Sequence, residues 1–149
     1  MKRLAAIALA LTSWAHASPV IHFVMPVPSV TDAVILNAIA IRESGDNPEA
    51  IGALGERTQY QFLARTWHRY SWTPLSQAAS HPDEVARVAH AYLLDIRLCL
   101  MARGLPESPY FIAISWISGP HWTRSSATAR EYAKAVENLA KAAQVEPLR

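Results

Sequence analysis

Between Val34 and Ile41 the chain carries Val34, Ile35, Ala38, Ile39 and Ile41, and within a few residues it stops at Ser44-Gly45-Asp46-Asn47-Pro48. A helix that is apolar on most of its surface has to sit at the centre of a fold, with the rest of the chain around it. The five residues that follow are helix-stopping or turn-forming. Glu43 falls in the last turn. Any fold that buries this helix therefore carries a carboxylate at the helix end, facing what the next loop encloses.

The remaining chain supplies further helices. Ser29 or Thr31 can cap the first, which should run to about Ser44. Residues 46–60 read as irregular, and a short helix is expected over 61–70 with Phe62, Leu63, Trp67 and Tyr70. Leu75 to Ala79 reads as a further turn. Ser80-His81-Pro82-Asp83 has the cap residue, early proline and acids of a helix start. Val85, Val88, Ala89, Tyr92, Leu93, Ile96 and Leu100 then follow at three- and four-residue steps, and Arg103-Gly104 closes the helix. Ser108-Pro109 opens a short apolar helix through Trp116, ended by Gly119-Pro120. The last helix is expected from about Ser126 to Ala143, with Tyr132, Val136 and Leu139 on its apolar face. No stretch alternates with period two over a strand's length. The expected class is mainly α: a single helical domain with a cleft and little or no sheet.

Of the 149 residues, the first seventeen read as a secretory signal peptide, with Lys2 and Arg3, an apolar run and Ala15-His16-Ala17 as cleavage site. Residues 18–30 read as an extended, proline-containing lead-in, and 31–145 as the folded domain. The whole chain has 14 Lys and Arg against 12 Asp and Glu; without Lys2 and Arg3 the charges balance. That balance gives no reason to expect a nucleic-acid partner. No segment has the roughly 20 apolar residues of a bilayer span, so stable membrane insertion is not expected. An exported monomer, periplasmic or extracellular, is the expectation. Cys99 is the only cysteine, which excludes an intramolecular disulfide. Its apolar helical setting predicts a small core residue, with an intermolecular bridge or a reactive thiol as alternatives.

Glu43 stands where the helix macrodipole is negative and, in a partly dry cleft, where desolvation acts too; both favour its protonated form. A carboxylic acid kept protonated near neutral pH can protonate a glycosidic oxygen. Glu43-Ser44-Gly45, Asn47-Pro48 and Ala50 resemble the opening motif E-S-G-x-N-P-x-A of the lytic transglycosylase (SLT) family, within the lysozyme-like, α+β superfamily. Gly55 and Gln61 fall twelve and eighteen residues after Glu43, in that family's register. Ala91-Tyr92-Leu93-Leu94-Asp95 is similar to its A-x-Y-L-x-x-L helix. Ala113 to Pro120, with Trp116 and Gly119, is similar to its A-x-A-Y-N-A-G-P segment, and Tyr132 matches a tyrosine in its closing helix.

The resemblance implies cleavage of the β-1,4 bond between N-acetylmuramic acid and N-acetylglucosamine in peptidoglycan glycan strands, with Glu43 as general acid and then base and no cofactor. The muramyl 6-hydroxyl attacks internally and leaves a 1,6-anhydro end. The implied substrate contacts are Ser44, Tyr60, Gln61, Tyr92, Trp116 and Tyr132. Two positions depart from the pattern. Thr58 stands for a glycine and Trp116-Ile117 for Tyr-Asn, which leaves open a catalytically inactive glycan-binding or structural homologue. Glu56 is a candidate second carboxylate, thirteen residues after Glu43 where goose-type lysozymes carry Asp; with it the outcome would be inverting hydrolysis. The alternative is a surface Glu56 that is solvated or pairs with Arg57 or Arg65.

Other features read more simply. His68, His81, His90 and His121 lack metal-ligand spacing, so no metal is expected. Ser115, Ser118 and Ser125 lack a nucleophile elbow. Trp67 reads as core, and Trp72 as core or sugar platform. Arg42, adjacent to Glu43, is expected to point away from it.

Overall fold

The structure, a computed structural model, describes residues 30–145. The signal peptide expected over 1–17 and, apart from Val30, the lead-in expected over 18–30 lie outside the described residues. Five α-helices follow in order: α1 (Asp32–Ser44), α2 (Ala64–Trp67), α3 (Pro82–Ala102), α4 (Pro109–Ser118) and α5 (Ala127–Val145), with a 3-10 helix at Leu75–Ser80. Extended structure among these residues is limited to two isolated antiparallel bridges, Ile51 with Arg57 and Arg57 with Phe62. The domain is mainly helical, as its periodicity predicts, and none of the described helices is long and apolar enough to cross a membrane.

α1 is capped by Thr31, whose hydroxyl accepts from the Val34 amide at 3.4 Å. Ile35, Leu36, Ala38, Ile39 and Ala40 are buried, whereas Ile41 is 41% exposed. The apolar coverage is thus narrower than the run of residues suggests, because the last turn leaves the core as it approaches Glu43. α5 packs along α1 and α4, while α3 packs on α4. α4 buries Ile112, Ala113, Ile114, Ser115 and Trp116 and is capped by Ser108, whose hydroxyl accepts from the Phe111 amide. The Ser115 hydroxyl is committed to structure, accepting from Trp122 Nε1 at 2.8 Å and donating to the Phe111 carbonyl at 2.9 Å.

Arg97 joins three parts of the chain. Its guanidinium meets Asp32 at the start of α1 at 2.7 Å and Glu107 ahead of α4 at 2.8 Å. Both bonds are charge-assisted, and they set where α1 begins against the middle of α3.

Three expectations are corrected. The helix expected over 61–70 is one turn, Ala64–Trp67, because Gln61 has φ 49°, outside the helical region, and Phe62 is paired with Arg57. α3 begins at Pro82 with His81, not Ser80, as its cap residue, and no side chain accepts there. Cys99 is half-buried rather than in the core. The buried stripe of α3 passes through Ile96 and Leu100 and leaves residue 99 on its edge. Trp67 is wholly buried, with Nε1 donating to the Thr73 carbonyl, and Trp72 is fully exposed.

Because Ile39 is wholly buried and Ile41 is not, Ile39→Ala should cost about 3 kcal/mol of stability and Ile41→Ala less than about 1 kcal/mol. Denaturant unfolding of the two variants beside the parent chain measures both.

Candidate functional site

α1 ends in a way that fixes Glu43. Gly45 takes the left-handed conformation, φ 68°, and its amide and that of Asp46 donate back to the carbonyls of Ile41 and Ala40. A glycine is the residue that enters this conformation without a Cβ penalty. Ser44 then ties the stop to the following loop. Its hydroxyl accepts from the Asn47 amide at 3.0 Å and donates to the Gln59 carbonyl at 3.0 Å. Ser44, implied as a substrate contact, has its hydroxyl engaged within the chain.

Glu43 is half-buried, and the Tyr132 hydroxyl on α5 donates to its Oε1 at 2.8 Å. Burial raises the Glu43 pKa above the ordinary 4.5. The Tyr132 hydrogen bond and the Arg42 charge act against burial, and the Glu56 charge adds to it; burial prevails. Tyr132 is pushed far up, first by its own burial and then by the Glu43 charge, so its hydroxyl remains a protonated donor. The Arg42 guanidinium lies over the Tyr132 ring, 5.7 Å from its centroid. This corrects the expectation that Arg42 points away. Adjacent helical Cβ atoms do diverge, but the long side chain bends back across the tyrosine and its charge reaches Glu43.

Glu56 is near enough for its charge to raise the Glu43 pKa. Its Oε2 accepts from the Leu54 amide at 2.8 Å, so its partner is backbone rather than Arg57 or Arg65. The Gly52 amide donates to the Glu56 carbonyl at 2.9 Å and closes the loop. A Cβ on Gly52 would clash with Glu56 Oε2 and with Gln61 Oε1. The two side chains therefore converge over a residue with no side chain of its own. Gln61 Nε2 donates to the Thr58 carbonyl at 3.0 Å, which turns the amide oxygen toward Glu56. Thr58, at φ 71°, is 1% exposed and opens this turn.

The implied aromatic contacts form one cluster. Trp116 packs on Tyr92 at 4.8 Å, Phe62 at 5.6 Å and Tyr60 at 6.0 Å between ring centroids. The Tyr92 hydroxyl donates to the Trp116 carbonyl at 3.2 Å. Tyr92 is 5% and Trp116 7% exposed, so both rings serve the core and support the loop from behind. Tyr60 is half-buried and offers the cluster's accessible edge; its pKa is raised by burial and then by the Asp46 charge. Ile117, next to Trp116, is 46% exposed.

Glu43 and Tyr132 are thus in contact, and Glu43 and Glu56 feel each other's charge. Glu56 and Gln61 converge on Gly52, and Tyr60 borders the aromatic cluster. In the sequence Gly52 reads only as a turn residue of the irregular segment and Phe62 only as an apolar residue of the short helix, neither as part of the site. A glycine four residues before an acid in an irregular loop was the available signal for Gly52. Among the described residues no group of three or more His, Cys, Asp or Glu could hold a metal ion. No family model matches the chain, and neither a curated protein nor a solved structure matches it.

The site holds a carboxyl group whose pKa is raised by burial, a fixed hydroxyl donor and a second acid within electrostatic reach. Such a set can give a proton and take one back. The same shift sets a pH dependence. The folded chain holds the Glu43 proton more tightly than the unfolded chain, whose value is near 4.5. That contribution to stability is complete below about pH 4.5 and is lost as pH rises through the folded value. Glu43→Gln removes the buried charge and keeps an acceptor for Tyr132. The variant should melt above the parent at pH 7, and the gap should close toward about pH 4 in scanning calorimetry.

Proposed function

We propose that the chain is an exported enzyme that cuts peptidoglycan glycan strands at the bond between N-acetylmuramic acid and N-acetylglucosamine. The observation that carries this reading is Glu43, half-buried at the end of α1, its pKa raised by burial and its Oε1 bonded to Tyr132. The motif register from Glu43 to Tyr132 supports the choice of substrate, and the signal-like N-terminus supports export.

In this reading neutral Glu43 donates its proton to the glycosidic oxygen as the bond breaks. The transition state is oxocarbenium-like. The resulting carboxylate then takes the proton of the muramyl 6-hydroxyl, whose oxygen closes on the anomeric carbon. The product is a 1,6-anhydro end, and Glu43 regains its starting form. Tyr132 orients the carboxyl group in both states, because its hydroxyl donates to either. The Arg42 charge limits the upward shift and so keeps the second, basic step accessible.

A second reading keeps the substrate and changes the nucleophile. The Glu56 charge raises the Glu43 pKa, and its carboxylate is fixed by the Leu54 amide. A pair of this kind, with room for a water between, supports hydrolysis with inversion at a carboxyl separation of about 6.5–9.5 Å. The products distinguish the two routes, since an anhydro end is one water lighter than a reducing end.

Purified parent and Glu43→Gln proteins incubated with peptidoglycan should differ by about a hundredfold or more in released fragments. Equal release would sink both readings. Mass spectra of the parent's products should show anhydro ends that persist in Glu56→Gln. Reducing ends that disappear in Glu56→Gln would transfer the proposal to hydrolysis.

A further inference from the structure

Away from Glu43, the middle of α3 and the turn after α4 border a surface cavity of about 310 Å³. Its lining includes Arg69, Asp95, Leu98, Cys99, Pro120 and His121, none of which belongs to the Glu43 site. The volume is at the lower end of the range typical for small-molecule pockets. Cys99 Sγ stands 3.4 Å from His121 Nδ1 and 4.0 Å from Nε2, so the nearer ring nitrogen is within hydrogen-bond reach of the thiol.

The pair is held from both sides. Cys99 projects from the edge of α3, a helix of 21 residues. His121 follows Pro120, whose carbonyl accepts from Arg103 Nη1 at 3.4 Å. The Arg103 guanidinium also lies 4.9 Å from the centroid of the Trp122 ring, which pins the turn on its other side. A thiol with an imidazole beside it is an arrangement that can activate a sulfur nucleophile. Asp95, the acid in the same cavity, is engaged by the Tyr70 hydroxyl at 2.5 Å and by Arg69 at 3.7 Å. It is therefore not the third member of a hydrolytic triad, in which the acid orients the imidazole. What remains is a thiol, an imidazole within hydrogen-bond reach and a cavity with Leu98 and Pro120 as apolar wall.

We propose that Cys99 and His121 form a thiol-exchange site that takes up a small disulfide as a mixed disulfide on Cys99. The Cys99 S–H proton passes to His121 Nδ1, and the sulfur attacks one sulfur of the incoming disulfide. The disulfide bond breaks, and its electron pair leaves on the second sulfur. That thiolate recovers the proton from the imidazolium. One thiol and one disulfide become one mixed disulfide and one thiol, so no external oxidant is needed.

Oxidised glutathione, followed by intact-protein mass spectrometry at pH 7, tests this. The native chain should gain a single glutathionyl group and Cys99→Ser none. The native rate should exceed that of the same chain unfolded in urea, and His121→Gln should slow it by roughly tenfold or more. His121 is exposed, so the variant should retain the parent's melting curve. A native thiol no faster than the unfolded one, or a rate unchanged in His121→Gln, overturns the proposal. Peptidoglycan cleavage by Cys99→Ser is a separate readout, so failure here leaves the reading of Glu43 intact.

Discussion

Water only half reaches Glu43, and its hydroxyl donor comes from a residue 89 positions further along the chain. Much of the architecture follows from holding the two groups 2.8 Å apart. α1 has to end one residue after Glu43, or the helix would run on through the space the next loop needs. α5 has to lie along α1, with Tyr132 at the level of the last turn. Burial raises the pKa of the carboxyl group. The Tyr132 hydrogen bond and the Arg42 charge pull the other way, and burial exceeds them by a margin that the Glu56 charge widens. The result is a group with a raised pKa whose ionised form still has a donor and a cation nearby.

The loop after α1 owes its shape to aromatic packing. Phe62 is 2% exposed and has Tyr60, Trp67, Tyr92 and Trp116 around it, with ring centroids 5.6–6.3 Å away. Aromatic pairs at these distances contribute about 0.5–1.5 kcal/mol each beyond the area they bury. Phe62 also exchanges both backbone hydrogen bonds with Arg57, at 2.8 and 3.1 Å. The segment from Ile51 to Phe62 is thereby closed at its base, and Glu56 and Gln61 are carried by a fixed frame over Gly52. Tyr92 and Trp116 act on the site through this frame, since their rings face Phe62.

Most of the helical order was legible because its signals are local. Thr31, Ser108 and Gly45 cap or stop helices by their own chemistry, and the three- and four-residue spacing of α3 marks its buried stripe. Glu43 was legible for the same reason, as an acid in the last turn before an unambiguous stop. What was not legible depends on tertiary placement. The short α2 reflects the left-handed Gln61 and the pairing of Phe62, and neither leaves a mark in residue type. Arg42 reaches Tyr132 through a side chain long enough to override the divergence of its Cβ. Arg97 joins Asp32 and Glu107 from opposite directions in the sequence, and Cys99 meets His121 only because the turn after α4 folds back onto α3.

Thr58 shows how a local conflict is absorbed. A β-branched residue at φ 71° is disfavoured by about 1–3 kcal/mol. Glycine would remove that cost, but it would also remove a buried methyl group, about 0.8 kcal/mol, and the hydroxyl that accepts from the Tyr60 amide at 3.3 Å. It would add freedom to the unfolded chain worth about 0.4–1 kcal/mol. These losses are of the same size as the strain, so threonine is close to neutral for stability at a position where conformation alone favours glycine. The conformation itself is not optional. The left-handed turn at Thr58 brings its carbonyl to the Gln61 amide nitrogen, and this sends the Gln61 oxygen back over Gly52. Threonine at residue 58 therefore supports the turn that leaves Glu56 and Gln61 converging above Gly52, at a cost in strain that its own packing and hydrogen bond offset.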